Sequence, residues 1–264
     1  VGGIFAIDPS LDLQIARYVT TQDVKDVLAQ AHPYLEGLRL LNFQLTLMLL
    51  VVTVAAIAVK VMRPDAVTML STRFSVFVIA IFLLGPGLLV NGVLKTFWGR
   101  VRPRHLVEFG GKHDFTAWWD PTGACVRNCS FVSGETSSAF AVLALAALVP
   151  SPLRYTAIAA SIVYGIVIGL VRIAVGAHFL SDVLFAGVFT ALLVWCLHGM
   201  IWRWTPTAVS EQAAQQAIRA SLRNLAMAPT SMVQGVRSFA RSLAVRKPAA
   251  SVPAAQVVAR SPQQ

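Results

Sequence analysis

Charged side chains are scarce in this chain. Only 13% of its 264 residues are Asp, Glu, Lys or Arg, against about 25% in an ordinary soluble domain. Meanwhile 56% are hydrophobic, and the mean hydropathy is +0.66. So few charges cannot cover so much apolar material in water, so a bilayer must be the solvent for much of the chain. Other signals are missing too. The first 36 residues hold five acids and no apolar run long enough for a secretory signal. No internal repeat stands out. His105 and His113, eight apart, do not make a metal-ligand cluster, and no metal or other cofactor is expected. The net charge of +10 raises nucleic acid as a partner. The basic residues are scattered, however, with no aromatic-interleaved groove, and that class is excluded.

What is present is a series of apolar stretches of bilayer-spanning size, which takes ~20 residues as helix. They run over Leu38–Ala58, Phe74–Leu94, Ser137–Val149, Tyr155–Ile173 and Phe179–Trp202. The third is short but extends backwards through Phe131–Ser138. The expected fold is all-α, a polytopic transmembrane bundle of five spans. A sixth span ahead of Val1 in the full protein is compatible with this count, and Val1–Phe5 reads as its apolar end. The expected layout is a segment 1–36 outside the membrane, an embedded domain 37–204 and a basic tail 205–264.

Charge orients the bundle. One face holds residues 1–36, 95–136 and 172–178. With Arg39 and Asp182 counted there, it carries ten Lys/Arg and ten Asp/Glu. The other face holds residues 59–73, 150–154 and 203–264, with twelve Lys/Arg and two acids. Lys and Arg are retained in the cytoplasm, so the first face is expected to be periplasmic in a bacterial inner membrane. In the tail, Glu211–Leu225 reads as a short amphipathic helix on anionic lipid. From Ala226 the composition cannot build a core.

Ionisable groups avoid membrane helices, so those at helix ends on one face are the informative ones. Three clusters meet on the balanced face. Lys95 and Arg102 lie seven apart, two turns on one side if the helix persists. With Arg172 they form a triad of cations suited to a dianionic phosphate, each Arg able to grip two oxygens. Ser133-Gly134 precedes a helix start, where free N–H groups and the dipole attract anions. His178 and Asp182 are i and i+4. The carboxylate can keep one ring nitrogen protonated and leave the other free to attack phosphorus. Glu135 at the same mouth fits a general acid if an apolar pocket raises its pKa. Trp118-Trp119 fits an interfacial anchor or a guide for lipid. Cys125 and Cys129 are close enough for a small disulfide, and Cys196 reads as a packing residue.

The arrangement resembles the type 2 phosphatidic acid phosphatase family, whose pattern is K-x6-R-P, then P-S-G-H, then S-R-x5-H-x3-D. Lys95 to Arg102-Pro103 matches the first part. Arg172, His178 and Asp182 match the third, with Val171 in place of its Ser. The middle part departs: Val132-Ser133-Gly134-Glu135 stands where the family has P-S-G-H. The resemblance implies a metal-independent membrane lipid phosphatase. In it Lys95, Arg102, Ser133, Gly134 and Arg172 cradle phosphate, His178 forms a phospho-histidine and Asp182 orients it. Glu135 falls where the family has its proton-donating histidine. The implied partner is a membrane lipid, with lipid A favoured over undecaprenyl pyrophosphate, phosphatidylglycerophosphate and phosphatidic acid. Phosphate transfer to a second lipid and non-catalytic binding are the alternatives.

Overall fold

The computed structural model describes residues 2–63 and 66–224. Helix dominates. Among the described residues there is no β-strand, only an isolated bridge between Leu106 and His113. Two short helices, α1 (Gly2–Ile7) and α2 (Ser10–Val19), lead into α3 (Gln22–Met62). The chain continues through α4 (Thr72–Phe97), α5 (Gly134–Ala147), α6 (Leu153–Ala174) and α7 (Leu180–Arg203). Of these, α3, α4, α6 and α7 are long and apolar enough to cross a membrane.

The stretch expected as the third span behaves differently. Helix α5 tightens into a 3-10 helix over Ala141–Ala147, and its whole length is about 25 Å, under the ~30 Å of a hydrocarbon core. Its small residues turn inward, with Gly134, Ser137, Ala139, Ala141 and Ala144 all buried. Helices α6 and α7 close on it at glycines. A Cβ added at Gly165 would stand 2.6 Å from the Phe140 ring, and one at Gly187 2.9 Å from it. Such close backbone approach is how helices associate where lipid tails are as apolar as leucine.

Helix α3 is longer than the Leu38–Ala58 stretch that seeds it. It spans 41 residues and carries Pro33 inside. Proline removes one main-chain bond, and Ala29, whose carbonyl loses it, is exposed. At 1.5 Å per residue the helix is about 60 Å long, so its N-terminal stem stands beyond the bilayer. Helix α4 widens into a π-helix over Leu83–Leu94, around Gly85-Pro86-Gly87. The proline ring crowds the preceding turn, and a wider turn relieves it.

Residues 211–224 form a further helix where Glu211–Leu225 was expected. Glu211 accepts the main-chain N–H groups of Thr72 and Arg73 at 2.7 and 3.0 Å, closing the start of α4. Leu225 and the tail beyond it lie outside the described residues. Trp118 is a packing residue, its ring centroid 4.4 Å from that of Phe185, while Trp119 is exposed.

The Gly165 contact gives a stability test. Gly165→Ala drives a methyl into Phe140, and overpacking of this kind costs about 1–3 kcal/mol. Thermal unfolding in detergent is expected to show a lowered midpoint, whereas Gly37→Ala, in open space, lowers it little.

Candidate active site

The segment between α4 and α5 brings the first cations into place. Lys95 ends the apolar part of α4. The helix does not persist to Arg102 as the seven-residue spacing suggested. It stops at Phe97, and Gly99 follows with φ +71°. A side chain there would meet the carbonyl oxygens of Gly123 and Pro121 at 2.6 and 2.9 Å, so glycine is required both for its φ and for the close approach. Lys95 and Arg102 nonetheless reach one cavity, because the loop folds back over Asn128. Arg102 donates to the Asn128 carbonyl at 3.1 Å and to its Oδ1 at 2.9 Å, and Lys95 donates to the same Oδ1 at 3.4 Å.

That cavity has a volume of about 810 Å³, within the range of ligand sites. Arg39, Lys95, Arg102, Glu135, Arg172 and His178 all line it. Five of the eight expected site residues therefore share one chamber. Gly134 lines a smaller adjoining cavity with Asn91 and Lys95. Ser133 and Asp182 lie behind the wall, fully buried. Both polar groups of Ser133 are committed locally. Its Oγ accepts from Thr136 Oγ1 at 2.7 Å and caps α5, and its amide donates to the Asp182 carbonyl at 3.3 Å.

His178 is buried at the mouth of α7. Its Nδ1 lies 2.7 Å from the Ser130 carbonyl. A carbonyl only accepts, so Nδ1 carries the proton and Nε2 is left bare. The Asp182 carboxylate was expected to hold this proton, but its Oδ2 stands 3.6 Å from Nδ1, beyond hydrogen-bonding distance. Burial pushes the imidazole down to about 4, against the opposing pull of Asp182. The ring is therefore neutral near pH 7, as a nitrogen nucleophile must be.

Asp182 is instead saturated by other donors. It accepts from Ser130 Oγ at 2.5 Å, from the Phe179 amide at 2.9 Å and from Arg100 Nη1 at 2.6 Å. Arg100 has no solvent exposure. Its Nη2 donates to Asp12 of α2 at 2.7 Å, and its Nε donates to the Thr116 carbonyl at 3.1 Å. Asp12 also accepts the amide and hydroxyl of Ser181 at 2.9 and 2.5 Å.

Glu135 does not sit in an apolar pocket. Arg39 grips its carboxylate with two bonds of 3.1 Å, and Arg172 Nη1 lies 3.4 Å away. Arg39 also donates to Glu36 at 2.7 and 2.6 Å. Sequence reasoning counted Arg39 only as a charge on this face and passed over Arg100, Asp12 and Asn128. The nearest signal was Arg100 itself, two residues before Arg102 in a Gly-Arg-Val-Arg-Pro run. Cys125 and Cys129 are joined as a disulfide beside this loop.

The chain is 38% identical over 133 residues to a lipid A 4'-phosphatase of Francisella tularensis subsp. novicida (strain U112), covering 50% of this chain and 60% of that one. It is 46% identical over 116 residues to a lipid A 4'-phosphatase of Rhizobium leguminosarum, covering 42% and 50%. A Rhizobium etli protein of the same name is 44% identical over 116 residues, covering 42% and 45%. The chain thus spans about half the length of the curated relatives it matches. No solved structure matches it. The family model described as PAP2 superfamily covers residues 75–206, which is half of the chain and includes Lys95, Arg102, Glu135, Arg172, His178 and Asp182. The chain belongs to the PAP2 superfamily.

Proposed function

We propose that this protein is a lipid phosphatase that removes a phosphate monoester from an envelope lipid, lipid A in the first place, through a phospho-histidine on His178. One observation carries the reading. His178, its Nδ1–H tied to the Ser130 carbonyl, lines the same cavity as Lys95, Arg102 and Arg172. A fixed tautomer presents a bare nitrogen beside three cations that match a phosphate dianion. The names of the Francisella and Rhizobium relatives support lipid A as substrate and its 4'-phosphate as the first position to test.

In this reading phosphate enters from the periplasmic side, the face of balanced charge. His178 Nε2 attacks phosphorus in line. The bond from phosphorus to the sugar or lipid oxygen breaks, and its electrons leave with that oxygen. Glu135, having taken a proton from water once its cations are drawn away, passes that proton to the leaving oxygen. A dianionic phosphate competes with Glu135 for Arg39 and Arg172, so substrate itself strips the carboxylate of its cations and sets it beside the anion, where sharing a proton is favourable. Water then attacks phosphorus, the N–P bond breaks, and inorganic phosphate leaves. Arg102, Lys95 and Arg172 stabilise the charge on the transferring group throughout. Asp182 keeps the Ser130–His178 frame in register through its bond to Ser130 Oγ.

Purified protein in detergent, with a metal chelator present, is expected to release phosphate from lipid A across a panel of lipid phosphates. His178→Ala should abolish the release. No release from any lipid by folded protein at pH 4–9 would sink the reading. A second test separates the acid from the nucleophile. Glu135→Gln is expected to lower kcat roughly 10²-fold or more on lipid A and far less on an aryl phosphate, whose leaving oxygen needs no proton. Equal losses on both substrates would remove Glu135 from the acid role.

A further inference from the structure

Arg100 has two carboxylate partners, and only one of them belongs to the His178 pair. The other, Asp12, comes from α2, outside the residues matched by the family. It lies 169 residues away in sequence from Ser181, whose amide and hydroxyl it also takes. We propose that Asp12 is a positioning residue for His178: the second carboxylate that keeps the buried Asp12–Arg100–Asp182 cluster at one net negative charge while the ring becomes cationic. This rests on the phosphatase reading above.

The charges can be counted. Nδ1 of His178 already bears a proton, so bonding of Nε2 to phosphorus gives the ring a positive charge. In front of it, the cavity offers Lys25, Arg39, Lys95, Arg102, Arg104 and Arg172 as cations, and only Glu135 and Glu36 as anions. A positive ring is unwelcome there. Compensation must come from behind, where Asp182 is the near carboxylate. Arg100 alone would cancel Asp182. With Asp12 drawing on the other arm of the guanidinium, the trio stays at −1. The group has little contact with water, so this charge is weakly screened. A blander role exists beside it: Asp12 accepts the Ser181 amide in the first turn of α7 and could serve as a cap alone. The two roles differ in what a compensating mutation does.

Three variants separate them: Asp12→Asn, Asp12→Glu and the double Asp12→Asn/Arg100→Gln. The cluster charge is 0 in the first and −1 in the other two. Kinetics on lipid A, normalised to trapped phosphoenzyme, are expected to show kcat about tenfold lower or more in Asp12→Asn, with KM within about threefold. The charge-keeping Glu variant should recover most of that loss, and the double a measurable part of it. A double variant no faster than Asp12→Asn overturns the inference, as does an Asp12→Asn enzyme with unchanged kcat. The second readout needs no turnover. Nitrogen-15 NMR of the substrate-free protein, with His178 assigned by His178→Ala, follows protonation of the ring. Its midpoint should fall by about one unit in Asp12→Asn and return towards wild type in the other two. The same midpoint in all variants overturns the inference even if no lipid is hydrolysed, so failure of the phosphatase reading is read separately.

Discussion

A guanidinium group with no solvent contact must be neutralised where it lies, and Arg100 is the group around which this fold is arranged. Burying an ion costs several kcal/mol before its partners repay it. Arg100 meets the cost with Asp12 at 2.7 Å, Asp182 at 2.6 Å and the Thr116 carbonyl at 3.1 Å. Its guanidinium also lies 4.2 Å from the centroid of Phe179, a contact favourable to a cation. These partners belong to α2, the loop after α4 and the first turn of α7. Three stretches remote in sequence are therefore fixed to one point. Removing Asp12 would leave Arg100 and Asp182 as a neutral pair but would take an acceptor from Arg100 Nη2 and from the Ser181 amide and hydroxyl. His178 opens α7 directly above, so its placement follows from the same neutralisation.

In front of His178 the problem is reversed. Lys95, Arg102, Arg172 and Arg39 surround one cavity and repel each other. Asn128 spreads the first two with a shared Oδ1, and Glu135 and Glu36 tether the others. The carboxylates hold Arg39 and Arg172 in position without filling the cavity. In the proposed reaction an arriving phosphate meets Lys95 and Arg102 already oriented by Asn128 and takes over Arg39 and Arg172 from Glu135, so little side-chain freedom is left to lose, and such preorganisation is where sites of this kind gain most of their effect. The departure of Glu135 from the family pattern makes sense in these terms. A histidine there could not bridge Arg39 and Arg172, so Glu135 and Arg39 belong together as a pair that crosses from α5 to α3.

The residues that could be read from sequence were those the bilayer forbids elsewhere. Lys95, Arg102, Arg172, His178 and Asp182 stand out because apolar helices on either side make each charge conspicuous. Asp12 was illegible for the opposite reason. It sits in a polar stretch among four other acids, where any carboxylate looks solvated, and only the tertiary contact with Arg100 distinguishes it. Arg39 was hidden at the edge of an apolar run, where a charge usually serves the headgroups. The spacing of Lys95 and Arg102 suggested a common helix face, but Gly99 ends the helix and a loop delivers the two side chains together. The expected third span, Ser137–Val149, falls on the short apolar helix α5, whose buried small residues owe part of their apolar character to packing within the bundle. Hydropathy cannot separate burial by packing from burial in lipid.

The cavity is built from two sources that sequence likeness treats unequally. Its floor, with Lys95, Arg102, Glu135, Arg172 and His178, lies within the matched residues 75–206. Its opposite wall is α2 and the stem of α3, with Thr20, Lys25, His32, Glu36 and Arg39. Lys25, His32 and Arg39 recur every seven residues, two turns apart, so they share one face of α3. The stem exists because α3 is about twice as long as a bilayer needs, and α2 is held against the bundle by Asp12. One buried acid therefore joins the two halves: the contact that steadies the charge behind His178 also fixes the wall facing the rest of any bound molecule.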